Sequence, residues 1–152
     1  MNRLQHLRLS THIAAPVVRV WATMLELDTY RDWTSAFCEG STYEGSWAPG
    51  ARIRFLAPSG DGMVAEIAEN RRHAFVSIRH LGLIANGIED TTSEAVKAWA
   101  PAYENYRFTP EAGGTRLDIE QDIPTEWAAM MNETWPQALA RLKALCESPE
   151  RA

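Results

Sequence analysis

The segment Thr125–Glu147 carries its apolar residues at Trp127, Met131, Trp135, Ala138, Leu142 and Leu145, at steps of 4, 4, 3, 4 and 3. That spacing draws one apolar stripe along a long amphipathic helix. A helix with a single stripe has one face to bury and needs a partner surface of matching extent. The preceding chain offers one. Leu7–Ile13, Phe37–Tyr43, Arg52–Ala57, Gly62–Glu69, Ala74–His80, Tyr103–Phe108 and Thr115–Ile123 read as short strands. Pro49-Gly50, Ser59-Gly60, Arg71-Arg72 and Gly113-Gly114 punctuate them as turns. After the first strand, Val17, Val20, Trp21, Met24 and Leu25 predict a helix over Pro16–Leu27. Asp28 predicts the N-cap of a second short helix, Thr29–Thr34, which holds Tyr30 and Trp33. Pro136 predicts a kink or restart of the last helix near Asn132–Trp135. The expected class is α+β. A curved antiparallel sheet of about seven strands wraps a long C-terminal helix, with two short helices after the first strand, in one domain over residues 1-152.

Charge and composition remove several function classes. Fifteen Lys+Arg against twenty Asp+Glu give a net charge of -5 without a basic stripe, which excludes a nucleic-acid partner. No run reaches the ~18 apolar residues of a membrane helix, so no membrane insertion is expected. Met1–Arg8 lacks the apolar run of a secretory signal. Cys38 and Cys146 form no CxxC pair, so neither a disulfide framework nor a zinc ribbon is expected. The reading is a cytoplasmic protein with two free thiols, no metal and no cofactor. His6 and His12 lack companions at ligand spacing, no GxSxG elbow is present, and Gly60-Asp61-Gly62 reads as a hairpin tip. The segment Leu81–Pro101 interrupts the strand rhythm and has the length of a lid. Within it, Thr91 and Glu94 predict a capping box for a brief helix through Trp99.

Hairpin arithmetic predicts which residues face inward. A tip at Arg71-Arg72 pairs Ile67 with Val76, Ala65 with Ile78 and Met63 with His80. Those apolar residues must then lie inside, with Glu66 outside near Arg79. A tip at Ala112-Gly113 pairs Phe108 with Leu117, Tyr106 with Ile119 and Glu104 with Gln121, and sets Arg107 against Asp118 outside. The inner face therefore begins apolar and turns polar. His80, Glu104, Tyr106 and Gln121 converge at one end of a cavity between sheet and helix, with Ile78 beside them. Trp33, Phe55, Trp99, Met131 and Trp135 form its apolar walls. None of the six tryptophans falls in a predicted strand, so the bulky rings sit on elements that close over the sheet.

The order of elements, with "HIAAPVVRVWATMLELDTYRDW" (His12–Trp33) and "WPQALARLKALCE" (Trp135–Glu147), resembles the START-like or SRPBCC superfamily of helix-grip proteins. The central "LGLIANGIEDTTSEAVKAWAPAYENYRFTPEAGGTRLDIE" is similar to the bacterial branch related to the activator of heat-shock-protein ATPase. The resemblance implies a protein that binds a hydrophobic or amphipathic small molecule between sheet and helix. It implies two further readings. One is a cofactor-independent cyclase, dehydratase or hydrolase, with His80 and Glu104 as acid and base. The other is a co-chaperone-like module with a chaperone ATPase as partner. For the polar cluster itself three roles stay open at this level. It orients a ligand, its His80–Glu104 pair acts as general acid and base, or it lies wet at the sheet rim with His80 bonded to a backbone carbonyl.

Overall fold

The structure is a computed structural model that describes residues 4–148. Its strands are β1 (Leu4–Ile13), β2 (Thr42–Gly45), β3 (Arg52–Leu56), β4 (Gly62–Arg71), β5 (Phe75–Ala85), β6 (Ile88–Asp90), β7 (Ala102–Glu111) and β8 (Gly114–Pro124). Helices α1 (Val17–Leu25) and α2 (Leu27–Trp33) follow β1, α3 (Glu94–Lys97) follows β6, and α4 (Ala128–Glu147) is the last element of the described residues. The strands form one antiparallel sheet in the order β1-β8-β7-β5-β4-β3-β2, with β6 paired to β5 off that path. The seven strands on the path are those the alternation marks. The arrangement is the helix-grip fold: an open sheet whose inner face packs against α1, α2 and α4.

Alternation in β8 shows how the core arises. Thr115, Leu117, Ile119, Gln121 and Ile123 are buried, while Arg116, Asp118 and Glu120 pair or face solvent on the other side. From α4, Trp135, Ala138, Leu139, Leu142 and Cys146 bury against this face. These two periods, two along the strand and near 3.6 along the helix, meet in one core.

The β7–β8 register is the expected one: Glu104 opposes Gln121, Tyr106 opposes Ile119 and Phe108 opposes Leu117. Arg107 opposes Asp118 on the backbone, but the charges do not pair. Asp118 binds Arg116 at 3.0 Å, and the Arg107 guanidinium stacks 4.5 Å over the Phe75 ring. The β4–β5 register departs from the expected one. Ile67 pairs with Ile78 and Ala65 with His80, displaced by two residues, and Met63 pairs with Leu83. Two irregularities, at Val64/Ala65 and Ile67/Glu69, and a turn through His73 at φ 65° account for the slip. Because two residues is one full side-chain period, the displaced pairs keep their faces. Glu66 lies directly opposite Arg79 and bonds to it at 2.5 Å.

Several expected boundaries are corrected. Asp28 does not cap α2: Glu26 holds the cap position, and Asp28 sits inside the first turn accepting from the Thr29 amide at 2.9 Å. Phe37 does not open a strand. The chain winds on through a 3₁₀ turn, Thr34–Ala36, with the Phe37 amide bonded to the Thr34 carbonyl, and β2 starts only at Thr42. Helix α4 runs through Pro136 without a restart, and the irregular turn lies before it at Thr125–Trp127. Proline removes one amide donor, a loss that the buried stripe on both sides of it outweighs.

The Leu81–Pro101 segment is not a free lid. Strand β5 continues past His80 to Ala85, Asn86 and Gly87 turn with φ of 54° and 76°, and β6 returns along β5. An Asn-Gly pair of positive φ is the preferred two-residue hairpin turn. Thr91 is not the cap of α3. Ser93 is: its hydroxyl accepts from the Val96 amide at 3.3 Å, while Asp90 holds the Thr92 and Ser93 amides. Among the described residues, no helix is long and apolar enough to cross a membrane.

Candidate functional site

Register brings the polar residues together. Glu104 on β7 faces Gln121 on β8 and sits diagonal to His80 on β5, since His80 pairs with Ala102 and Ile78 with Glu104. All point to the face that α4 covers. The Glu104 carboxylate is the hub. One oxygen, Oε1, accepts from His80 Nε2 at 2.9 Å and from Gln121 Nε2 at 3.2 Å. The other, Oε2, accepts from the Tyr106 hydroxyl in a short bond. Gln121 then passes the network to the helix, its Oε1 accepting from Trp135 Nε1 at 2.8 Å. The neighbours fix the amide orientation: reversed, the amide NH2 would meet the indole N–H and its oxygen would meet the carboxylate.

Burial decides the electrostatics. His80 is 4% exposed, and the Glu104 side chain is 13% exposed. A carboxylate surrounded by three donors is satisfied as an anion, the form that accepts and never donates. Burial first, and the Glu104 charge second, push the Tyr106 hydroxyl well above the ordinary phenol range. The nearby Tyr30 hydroxyl is raised in the same way, by burial and then by Glu104. Both phenols stay protonated near neutral pH, so Tyr106 donates to Glu104. His80 uses Nε2 on the carboxylate, and its Nδ1 is buried without a partner.

Beside this network lies a pocket of about 220 Å³. Trp33, Phe55, His80, Glu104, Tyr106, Gln121, Met131 and Trp135 line it, as do Tyr30, Thr34, Phe37, Ser41 and Met63. Trp33 and Trp135 stack with centroids 5.9 Å apart and 30° between planes, and Phe37 stands edge-on to Trp135 at 5.0 Å. The indole of Trp33 donates to the Met24 carbonyl at 3.1 Å. Both tryptophans thus direct their N–H groups into the protein and leave ring carbon to line the pocket.

Two residues expected at the pocket do not line it. Ile78, 1% exposed, lies beside the cluster as the cross-strand partner of Glu104 and belongs to the core. Trp99 follows α3, half-buried and away from the pocket, since the segment that holds it is tied along β5. The rim alternative for the polar cluster does not describe the buried network, and His80 bonds a carboxylate rather than a backbone carbonyl. Tyr30 carried a usable signal, because it sits one helical turn from Trp33 and therefore shares its face. Met63 was legible as an inner-face residue. Phe37 was not, because its position depends on a 3₁₀ turn that no periodicity marks.

The sequence profile of the family described as "Activator of Hsp90 ATPase homolog 1-like protein" matches residues 14–147, from just after β1 to the end of α4. No curated protein matches the chain. Among solved structures, protein MLL2253 from Mesorhizobium loti superposes with a TM-score of 0.71 at 16% identity, covering 93% of this chain and 96% of that one. Protein CV1439 from Chromobacterium violaceum gives 0.65 at 21% identity over 94% and 97%. The solution structure of the Aha1 dimer from Colwellia psychrerythraea gives 0.68 at 17% identity over 94% and 96%. At these identities the likeness concerns the fold.

Proposed function

This chain belongs to the Activator of Hsp90 ATPase homolog 1-like family, and from that footing we propose that it binds a small, mainly apolar molecule in the pocket between the sheet and α4. The fold is commonly a ligand-binding one. The observation that carries the reading is the division of the pocket wall. Aromatic faces from α2, β3 and α4 surround one polar end, where Glu104 accepts from His80, Tyr106 and Gln121. Apolar walls with a few placed polar groups are the usual form of a small-molecule site. At about 220 Å³ the pocket is smaller than the ~300–1,000 Å³ of drug-sized sites, and larger than the ~150 Å³ cavity that admits benzene. A compound of one substituted ring or two fused rings matches that space. Titration with naphthalene-sized compounds, read by quenching of Trp33 and Trp135 fluorescence and by thermal shift, tests it. Saturable quenching with a raised Tm supports the reading, and no response from any compound rejects it.

One observation supports a second reading, acid–base catalysis. Glu104 holds His80 through Nε2 and leaves Nδ1 unpartnered, the relation by which a carboxylate orients a histidine base. On that reading His80→Ala and Glu104→Gln abolish turnover while ligand uptake persists. The family's description supports a chaperone link as well. Stimulation of an Hsp90-type ATPase by the purified chain tests that link, and absence of stimulation counts against it.

A further inference from the structure

Resting on the ligand-binding reading, we propose that the pocket selects ligands bearing a hydrogen-bond donor, a hydroxyl or an ammonium group, and rejects carboxylates. The argument comes from which polar atoms are already engaged. Two hydroxyls at the pocket donate to backbone: Thr34 to the Tyr30 carbonyl at 2.6 Å and Ser41 to the Cys38 carbonyl at 2.6 Å. The indole N–H groups of Trp33 and Trp135 are bonded inward, and so are the Tyr106 hydroxyl and the Gln121 amide. These bonds engage the two hydroxyls, both indole N–H groups, the Tyr106 hydroxyl and one N–H of the Gln121 amide within the protein.

The open acceptor is on Glu104. Glu104 Oε2 accepts one bond, from Tyr106, and the side chain keeps 13% of its surface open. A carboxylate oxygen accommodates about two hydrogen bonds, so Oε2 has one site unfilled. His80 is bonded to Glu104 through Nε2, and its Nδ1 is buried without a partner. Nδ1 is closed to solvent, and the Phe55 ring lies 5.7 Å from the imidazole. Glu104 is the accessible group.

An incoming carboxylate would set a second anion against Glu104 at low dielectric. An incoming hydroxyl or ammonium fills the open lone pair. An ammonium also meets the aromatic faces of Trp33, Tyr30 and Phe55, which attract cations through their ring quadrupoles.

Four probes of one shape separate the outcomes: naphthalene, 2-naphthol, 2-naphthylmethylamine and 2-naphthoate, titrated into the full chain at pH 7. The expected order places the alcohol, the amine or both at least about tenfold tighter than naphthalene, the gain of a hydrogen bond to a charged acceptor, and places naphthoate weakest. Glu104→Gln narrows the gap between donor probes and naphthoate, and should the variant fail to fold, the wild-type order alone decides. Naphthoate binding as tightly as naphthalene, or donor probes gaining nothing over it, overturns the selectivity while the pocket reading stands. Failure of all four probes to bind overturns both.

Discussion

Replacing Glu104 by leucine removes the one acceptor shared by His80 Nε2, Gln121 Nε2 and the Tyr106 hydroxyl. His80 and Tyr106 are each 4% exposed, so water does not readily take the acceptor's place. A buried donor left without a partner costs about 1–3 kcal/mol, so three sum to roughly 3–9 kcal/mol. Leucine returns about 1–2 kcal/mol through apolar burial, and removal of a buried charge relieves part of its desolvation. The net expectation is a loss of about 3–5 kcal/mol, the range for breaking a buried charged pair. Equilibrium unfolding in urea at pH 7 measures it. With a slope of about 2 kcal/mol per molar, the midpoint falls by about 2 M. The double variant His80→Phe with Glu104→Leu is expected to recover part of the loss, because it leaves fewer orphaned donors. A single-variant loss under about 1 kcal/mol would refute the reasoning, since it would mean that the carboxylate is solvated rather than held by the network.

Other consequences are independent of the pocket's occupant. Trp135→Phe keeps the aromatic wall and deletes the N–H that Gln121 accepts; unfolding is expected to show a loss of about 1–2 kcal/mol, and no change would remove Gln121 from the link between β8 and α4. Gly82→Ala places a Cβ 2.0 Å from the Asp90 carbonyl oxygen. Hydrogen exchange is then expected to speed up at residues 83–85 and 88–90, and unchanged protection would contradict the close β5–β6 approach. Glu147 is held below the ordinary carboxylate range, first by the Ala14 amide and then by Lys143. Its folded value lies under its unfolded one, so its stabilisation is complete above the unfolded value and disappears as pH falls through the folded value. Glu147→Gln should therefore lower the urea midpoint near neutral pH and match the parent in acid, and a parallel offset at all pH values would reject the assignment.

The sheet and its covering helix were legible because their periods are long and regular. Leu117, Ile119 and Gln121 alternate cleanly behind a Gly113-Gly114 turn, so the β7–β8 register, and with it the Glu104–Gln121 contact, follows from the sequence. The β4–β5 hairpin was harder, because its two irregularities and the positive φ of His73 leave no compositional mark. His80 still reads as inward, since a two-residue slip preserves the face. The Asn86-Gly87 pair was a readable hairpin signal, and it explains why residues after His80 extend the sheet rather than form a lid. Trp99 illustrates the limit: its distance from the pocket depends on that hairpin and not on any property of tryptophan. The hydrogen-bond hub is of the same kind. Sequence placed four polar residues on one face, but only geometry showed three donors meeting one carboxylate.

The most direct measurement is a crystal structure of the chain grown with 2-naphthol. The account expects the bicyclic ring between Trp33 and Met131, against Trp135, with its hydroxyl on Glu104. A pocket closed by its own side chains, with the compound absent or bound only on the outer surface, would contradict it.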